Sequence, residues 1–330
     1  MPPAGPIFPL SMILMATGLS WLRWERPLDL ELSLRKAVST SMAEFSQYPD
    51  RLPDHQVRAL VQLLADENTH VAETVRAQLL ALGTRAIPYL HGIPEHRNPV
   101  LREEADKMIT CIRLEEAAQQ FEVFLEGDIH LEEGAFLLAR MAYPDLDVQA
   151  YRQDLDGMAK TLSERLPAGG DGDATLRIVN HYLFVDLAFR GNTEDYTNPE
   201  NSYIHRVLAR KLGIPISLSA VCLFIGRRLG LPFFGVGLPG HFIVSYRGDL
   251  NPLFIDPFNA GQILTREQCM QFITRTGQHW HEDYLSVTAD REILARMIRN
   301  LVASYTRLGE TTLAERLSRC LKRHGHEDGA

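Results

Sequence analysis

The segment from Ile214 to Asp256 restricts the fold more than any other part of the sequence. It contains a strongly apolar run, Leu218 to Leu229, which has the length of a helix and is closed by Gly230. Three short segments rich in Val, Ile and Phe follow, separated by Gly, Pro and Asn, as is typical of β-strands joined by turns. These segments are Phe233–Gly237, Phe242–Tyr246 and Leu253–Asp256. The pattern predicts an apolar helix followed by a small antiparallel sheet.

Helical patterns flank this core on both sides. On the N-terminal side, apolar residues recur at helical spacing in Val57–Ala65 and in Val71–Leu82, with a polar corner between them. The pair resembles a HEAT-type repeat, and an ordinary helical bundle explains the same pattern equally well. On the C-terminal side, residues 289–324 predict two helices with a turn at Leu308–Thr311. These two helices resemble a single tetratricopeptide unit.

These patterns divide the chain into five parts. We expect a disordered apolar tail over 1–25, a HEAT-like helical region over 26–118, the core domain over 119–288, the helical hairpin over 289–324 and a disordered end over 325–330. The first residues lack the positive start of a secretory signal, and Pro6 and Pro9 interrupt their apolar run. A floppy tail or an early start site is therefore favoured over a membrane anchor.

Composition and the absence of motifs exclude several functions. The net charge is −8 and the isoelectric point is near 5.9, so we expect no nucleic-acid partner. The four cysteines are scattered without a Cys-x-x-Cys pair, which indicates free thiols in a reducing, cytoplasmic compartment. Neither a Walker motif nor a GxGxxG motif occurs, and the pair His279 and His281 is typical of a surface rather than of a metal site. We expect no cofactor, no metal and no membrane partner.

His241 and Asp256 are the residues whose spacing predicts chemistry. His241 precedes one predicted strand and Asp256 ends the next, with a turn at Arg247–Pro252 between them. Depending on the centre of this turn, antiparallel pairing places the two residues directly opposite or diagonally on the same face, within side-chain reach in either register. An Asp that holds one imidazole nitrogen fixes the tautomer and orients the ring, which is the base half of a nucleophilic triad. A structural polar pair has the same spacing.

The chain resembles the transglutaminase-like superfamily and, more closely, the bacterial SirB-type invasion-regulator proteins, which join such a domain to a tetratricopeptide-type tail. The motifs that carry the resemblance are Leu138–Asp147, Asn180–Phe184, Phe189–Asn192, Asn201-Ser202, Leu212–Ser219, Arg227–Pro232, Gly235–Gly237, Pro239–Phe242 and Asp256–Phe258. The resemblance implies an α+β fold with a papain/transglutaminase-like core of helices packed on a small antiparallel sheet. It also implies a nucleophilic Cys at a helix N-terminus, followed by His and Asp on successive strands.

No cysteine stands in Gly213–Ser219, where the resemblance requires one. A helix N-terminus stabilises a thiolate, whereas a serine depends wholly on a positioned base. Three residues are candidates for the missing nucleophile. Ser217 immediately precedes the apolar helix, near the expected place of His241, and a helix N-cap is its alternative role. Ser219 is more typical of a serine bonded to the backbone, and Cys222 of a thiol buried within a helix.

Two functions of different classes follow from this pattern. The first is a non-catalytic transglutaminase-like protein, a regulator or scaffold that binds a protein or peptide partner through its helical regions. The second is a hydrolase or acyltransferase in which Ser217 attacks an amide or ester, His241 takes its proton and Asp256 orients His241, while helix N-terminal amides hold the oxyanion. A purely structural role of His241 in the hairpin is a third possibility. We favour the first because the thiol is missing, and the oligomeric state stays open.

Overall fold

The computed structural model describes residues 52–94, 98–167, 172–248 and 252–323. The predicted tails over 1–25 and 325–330 lie outside these residues, as does the first part of the predicted HEAT-like region. The chain divides into two compact units, one up to Glu116 and one from Ala117 onward. In the part of the chain that the structure describes, no helix combines the length and the apolar character that a membrane span requires.

The first unit is helical. Its elements are α1 (Asp54–Gln62), α2 (Thr69–Leu82), α3 (Ile87–His91) and the first half of α4 (Pro99–Glu126). Asn68 caps α2 by accepting two backbone N–H groups of the first turn, and Gly83, with a φ of +56°, ends it. Apolar side chains from all four helices share one core. Pro99 suits the first turn of α4, which then continues past residue 118, where the sequence predicts a domain boundary.

The second unit begins with helices that contribute apolar side chains to its core. These are the second half of α4, α5 (Leu131–Arg140), α6 (Val148–Arg165), α7 (Gly172–Asn180) and α8 (Ile204–Arg210). Asp147 caps α6, and α7 continues into a wider helical turn over His181–Asp186. Two short parallel strands, β1 (Arg190–Gly191) and β2 (Leu212–Gly213), bring the segments before and after α8 together. The second of these strands leads directly into the central helix.

That central helix, α9 (Pro215–Leu229), packs against the sheet and is buried from Pro215 to Gly226. It begins at Pro215 rather than at the predicted Leu218, because proline has the φ angle that a first helical turn needs. The sheet that follows is antiparallel throughout, in the order β3 (Phe233–Leu238), β4 (His241–Tyr246), β5 (Leu253–Asp256) and β6 (Gln262–Leu264). The first three strands agree with the sequence prediction, and β6, with three residues, is too short for a sequence pattern.

Both faces of this sheet are covered by helices. Val244 and Ile255 lie in the core that α9 also enters. Ile243 and Phe254, on the opposite face, pack with α10 (Arg266–Arg275). Because successive side chains alternate between the two faces, β4 is buried at every position. The second unit is therefore an α+β fold with helices packed on a small antiparallel sheet.

The last two described helices are α11 (Asp290–Leu308) and α12 (Thr311–Arg323), joined at Gly309. Gly309 has a φ of +79°, a backbone conformation that favours glycine at a helix end. Most of the buried side chains of both helices belong to the core that contains α9; these are Ile293, Leu294, Met297, Ile298, Leu301, Leu317 and Cys320. The helical pair thus shares one apolar core with the sheet rather than forming a core of its own.

Candidate functional site

His241 and Asp256 meet at one end of the sheet. Val244 pairs with Ile255, so Asp256 lies diagonally from His241 on the same face, which is the second of the two predicted registers. The Nε2 atom of His241 is 2.8 Å from Oδ2 of Asp256, and the two residues are only 9% and 3% exposed. In the neutral imidazole, an ionised Asp256 makes Nε2 the protonated nitrogen, and Nδ1 is then an acceptor. None of the described residues forms a hydrogen bond to Nδ1.

The carboxylate of Asp256 is also held by the turn that follows β5. Its Oδ1 accepts the backbone N–H groups of Phe258 at 3.1 Å and of Asn259 at 3.3 Å, and its Oδ2 accepts Nδ2 of Asn259 at 2.8 Å. Burial raises the pKa of Asp256, but the hydrogen bond and charge of His241, followed by the bonds from Asn259, outweigh burial and hold this pKa below its ordinary value. Asn259 was missed in the sequence, where the turn-forming run Asp-Pro-Phe-Asn is the signal that could have indicated it.

Aromatic side chains form an apolar rim around the imidazole. The ring of His241 is 6.3 Å from that of Phe258 and 5.3 Å from that of Phe272 on α10, measured between centroids. Tyr196 contacts Phe258 edge to face at 5.8 Å, and both Tyr196 and Phe272 are exposed to solvent. The three rings come from separate segments, so the sequence pattern contains no sign that they converge on His241.

Ser217, the first of the three candidate nucleophiles, hydrogen-bonds to the backbone. It is the third residue of α9 and not the N-cap, a position that Ile214 occupies because the helix starts earlier than predicted. Its Oγ is 2.6 Å from the carbonyl oxygen of Asn201 and 3.1 Å from the backbone nitrogen of Ile214, and the residue is 0% exposed. The hydroxyl therefore donates to Asn201 and accepts from Ile214. Within the described residues no hydrogen bond joins Ser217 to His241.

The other candidate nucleophiles are buried. Ser219 has its Oγ 3.4 Å from the carbonyl oxygen of Phe242, which is long for a hydroxyl hydrogen bond. Burial raises the pKa of Cys222 to about 12. Burial, followed by the charge of Asp256, also raises the pKa of Cys269 on α10 to about 12. Both thiols stay protonated at neutral pH, and only a thiolate is an efficient nucleophile.

A buried asparagine network fixes the start of α9. Asn192 donates from Nδ2 to Oδ1 of Asn201 at 3.0 Å, and Asn201 donates from its own Nδ2 to the carbonyl oxygen of Asp195 at 2.6 Å. The carbonyl of Asn201 accepts the hydroxyl of Ser217 and, at 3.3 Å, the N–H of Ile214. Ser217 thus attaches this loop to α9.

His205 is a second buried histidine, which no pattern in the sequence had indicated. The rings of Tyr143, Tyr151 and Tyr203 lie 4.5, 5.7 and 6.1 Å from its own. It is 3% exposed, and its Nδ1 has no hydrogen-bond partner among the described residues. Burial, followed by the charge of Arg206, lowers the pKa of His205 to about 4. Within the described ranges, no three side chains of metal-binding type converge on one point.

Helices packed on a small sheet, with His and Asp on neighbouring strands, agree with a transglutaminase-like domain. The family model described as the transglutaminase-like superfamily matches residues 149–299, which include both His241 and Asp256. A UPF0162 protein of Xylella fastidiosa (strain 9a5c) is 35% identical over 195 residues, which cover 57% of this chain and 68% of that protein. This chain belongs to the UPF0162 family.

Two other relatives extend the comparison. A UPF0162 protein of Vibrio cholerae is 29% identical over 140 residues, which cover 42% of this chain and 51% of that protein. F-box only protein 21 of Homo sapiens is 30% identical over 213 residues, which cover 57% of this chain and 33% of that protein. No solved structure matches the chain.

Proposed function

We propose that this protein is a regulator or scaffold that acts through protein–protein contacts, and that its transglutaminase-like domain lacks the nucleophilic Cys of active superfamily members. The observation that carries this proposal is the hydroxyl of Ser217. It is fully buried and donates to the carbonyl of Asn201 at 2.6 Å. A serine becomes a nucleophile only when a base takes its proton. A proton held by a backbone carbonyl is not available to His241.

The helical regions supply the surfaces for a protein or peptide partner in this proposal. They are the HEAT-like region over 26–118 and the tetratricopeptide-like hairpin over 289–324. The hairpin corresponds to the tetratricopeptide-type tail of the SirB-type proteins, and helical arrays of this kind bind partners on extended faces. F-box only protein 21 matches this chain over 33% of its length, so a similar module also occurs as one part of a longer protein. The four free cysteines suit a reducing, cytoplasmic compartment.

The geometry of His241 and Asp256 favours a second candidate function, a hydrolase or acyltransferase. In the neutral imidazole, the 2.8 Å contact places the proton on Nε2 and makes Nδ1 of His241 an acceptor, which is what a general base requires. In this alternative the start of α9 rearranges when substrate binds. The hydroxyl of Ser217 then leaves Asn201 and Ile214 and turns to His241.

Intact-mass spectrometry with activated ester and amide substrates distinguishes the two functions. The proteins compared are the wild type, Ser217→Ala, His241→Ala and the matched control Ser219→Ala, which makes the same change on the same helix. We expect no acyl adduct and the same background turnover in all four proteins. An acyl group on Ser217, with turnover lost in Ser217→Ala and His241→Ala but kept in Ser219→Ala, would refute the scaffold function and support the hydrolase.

Crosslinking in the native cell tests the partner directly. Tagged wild-type protein and His241→Ala are crosslinked, purified and mapped by peptide mass spectrometry. We expect the same partner with both proteins and crosslinks within 26–118 or 289–324. If no partner recurs, the scaffold function is refuted. If the partner is lost in His241→Ala, it binds at the His–Asp pair and not at the helical regions.

A further inference from the structure

Arg296 is a half-buried arginine on α11 whose partners are backbone carbonyls. Its Nη2 is 3.2 Å from the carbonyl oxygen of Leu238 and 3.1 Å from that of His241. Its guanidinium carbon is 5.3 Å from the centroid of the Phe242 ring, a cation–π distance. These three partners are the last residue of β3 and the first two of β4, so the guanidinium closes the turn that presents His241.

Among the described residues, no carboxylate forms a hydrogen bond or an ion pair with the guanidinium of Arg296, although the charge of Glu292 favours its protonated form. Glu292, one turn earlier on α11, forms its ion pair with Arg299 instead. Burial lowers the pKa of Arg296 because the surrounding protein stabilises the charged form less well than water does. A desolvated cation is costly unless polar groups replace its water, and here the two carbonyls of the turn do so. The carbonyls of the turn therefore stabilise the guanidinium of Arg296, and the guanidinium in return stabilises the turn between β3 and β4.

The segment around the start of α11 binds the edge of β3 along its length. The backbone N–H of Thr288 donates to the carbonyl of Gly235 at 2.8 Å, and the N–H of Gly237 donates to Oγ1 of Thr288 at 3.0 Å. The guanidinium fills the space beside Gly237, where an added Cβ would clash with Nη1 of Arg296. Thr288 and Arg296 together hold β3 from residue 235 to the turn at residue 238.

We propose that Arg296 is a positioning residue that sets the place of His241 relative to Asp256. His241 is anchored twice, at its carbonyl oxygen by Arg296 and at its ring by Asp256, and the two anchors come from different elements. Without Arg296 the carbonyl of His241 loses this contact, and the turn opens locally although Leu238 and His241 still pair across β3 and β4. The proposed role of Arg296 is the same whether His241 is catalytic or only stabilises the hairpin.

Chemical modification of His241 in the full-length protein tests this role. Diethyl pyrocarbonate acylates imidazoles, and peptide mass spectrometry gives a separate rate for each histidine. The variants are Arg296→Gln, Arg296→Lys and the control Arg299→Gln, which makes the same change one turn away, at a residue paired with Glu292. The rate at His205 reports global unfolding, because that residue is 3% exposed. Nitrogen NMR shifts of His241 report its tautomer.

In Arg296→Gln we expect the modification rate at His241 to rise about tenfold relative to that at His205. The loss of two charge-assisted hydrogen bonds makes local opening of the turn more frequent. The NMR shifts change from a single Nε2–H tautomer to a mixture. Arg296→Lys gives a smaller rise, since an ammonium keeps the charge but lacks the planar fork. Arg299→Gln leaves both readouts unchanged. If His241 in Arg296→Gln keeps its rate and tautomer, or if Arg299→Gln has the same effect, the proposal is overturned.

Gly237→Ala perturbs the same contact from the strand and keeps the test conclusive if Arg296→Gln does not fold. The new methyl group displaces the guanidinium while the arginine stays in the chain. We expect the same rise at His241, and no further rise in the double variant Gly237→Ala/Arg296→Gln, because both changes remove one shared contact. Fully additive effects would show that the two residues act independently and would refute the positioning role.

Discussion

Ser217→Ala removes one hydroxyl from a fully buried position on α9. The loss affects the carbonyl of Asn201, which accepts the hydroxyl at 2.6 Å, and the N–H of Ile214, which donates to it at 3.1 Å. Ile214 keeps a contact of 3.3 Å to the carbonyl of Asn201, so neither group loses every hydrogen bond. A buried polar group left unsatisfied costs about 1–3 kcal/mol, and the remaining contact puts the expected loss of unfolding free energy at about 1–2 kcal/mol.

Ser219→Ala is the matched control for this prediction. Both serines are 0% exposed on α9, and both substitutions gain the same helix propensity, about 0.5 kcal/mol. The hydroxyl of Ser219 has a single long contact of 3.4 Å to Phe242. We therefore expect Ser219→Ala to be close to neutral. The difference between the two variants isolates the hydrogen bonds of Ser217.

Urea and thermal unfolding, followed by circular dichroism, measure this difference. For a unit of about 200 residues, each kcal/mol lowers Tm by roughly 2–4 °C, so Ser217→Ala should melt about 2–8 °C below Ser219→Ala. Equal stability of the two variants would refute the structural role of the Ser217 hydroxyl. Equal stability together with lost turnover in Ser217→Ala would assign that hydroxyl to catalysis.

Three further predictions concern charge and thiol reactivity. The pKa of Asp256 in the folded protein lies below the ordinary 3.8, so the unfolded chain takes up the proton first as the pH falls. The free energy of unfolding therefore decreases as the pH drops below the ordinary pKa of an aspartate. Asp256→Asn should flatten this dependence of stability on pH in urea unfolding at pH 2.5–5. The pKa of His205 is about 4 in the folded protein and 6.5 in an unperturbed histidine, so the unfolded chain takes up this proton first as the pH falls. The free energy of unfolding should decrease by up to about 3 kcal/mol between pH 6.5 and pH 4. His205→Phe should abolish this contribution. Iodoacetamide should label the exposed Cys111 of the native protein but not Cys222, whose pKa is about 12; equal labelling would contradict the buried thiol.

The elements with a strong local pattern were predictable. The strand Leu253–Asp256 has its predicted bounds, and α9 ends at the predicted Leu229, because Gly and Pro mark both boundaries. The strand β6 and the helix α10 were missed. The first has only three residues, and the second, Arg266–Arg275, is largely polar, with Cys269 and Ile273 as its buried side chains. A short or polar element lacks the apolar periodicity on which prediction depends.

The site was predictable only in the part that a hairpin brings together. His241 and Asp256 are 15 residues apart, and two neighbouring strands leave few registers, so their contact could be expected within two alternatives. The hydroxyl of Ser217 bonds to Asn201, 16 residues away across a loop and a helix, and no periodicity specifies that approach. The contact between Arg296 and the His241 carbonyl joins residues 55 apart.

The amino-acid sequence alone specifies an apolar helix, three strands and an imidazole next to a carboxylate, because periodicity, turn residues and short chain connections act locally. The packed fold specifies which hydroxyl is occupied by a backbone carbonyl, which thiols stay protonated and which arginine holds the turn before His241. Those properties depend on burial and on neighbours from distant segments, and both exist only after the helices have packed on the sheet.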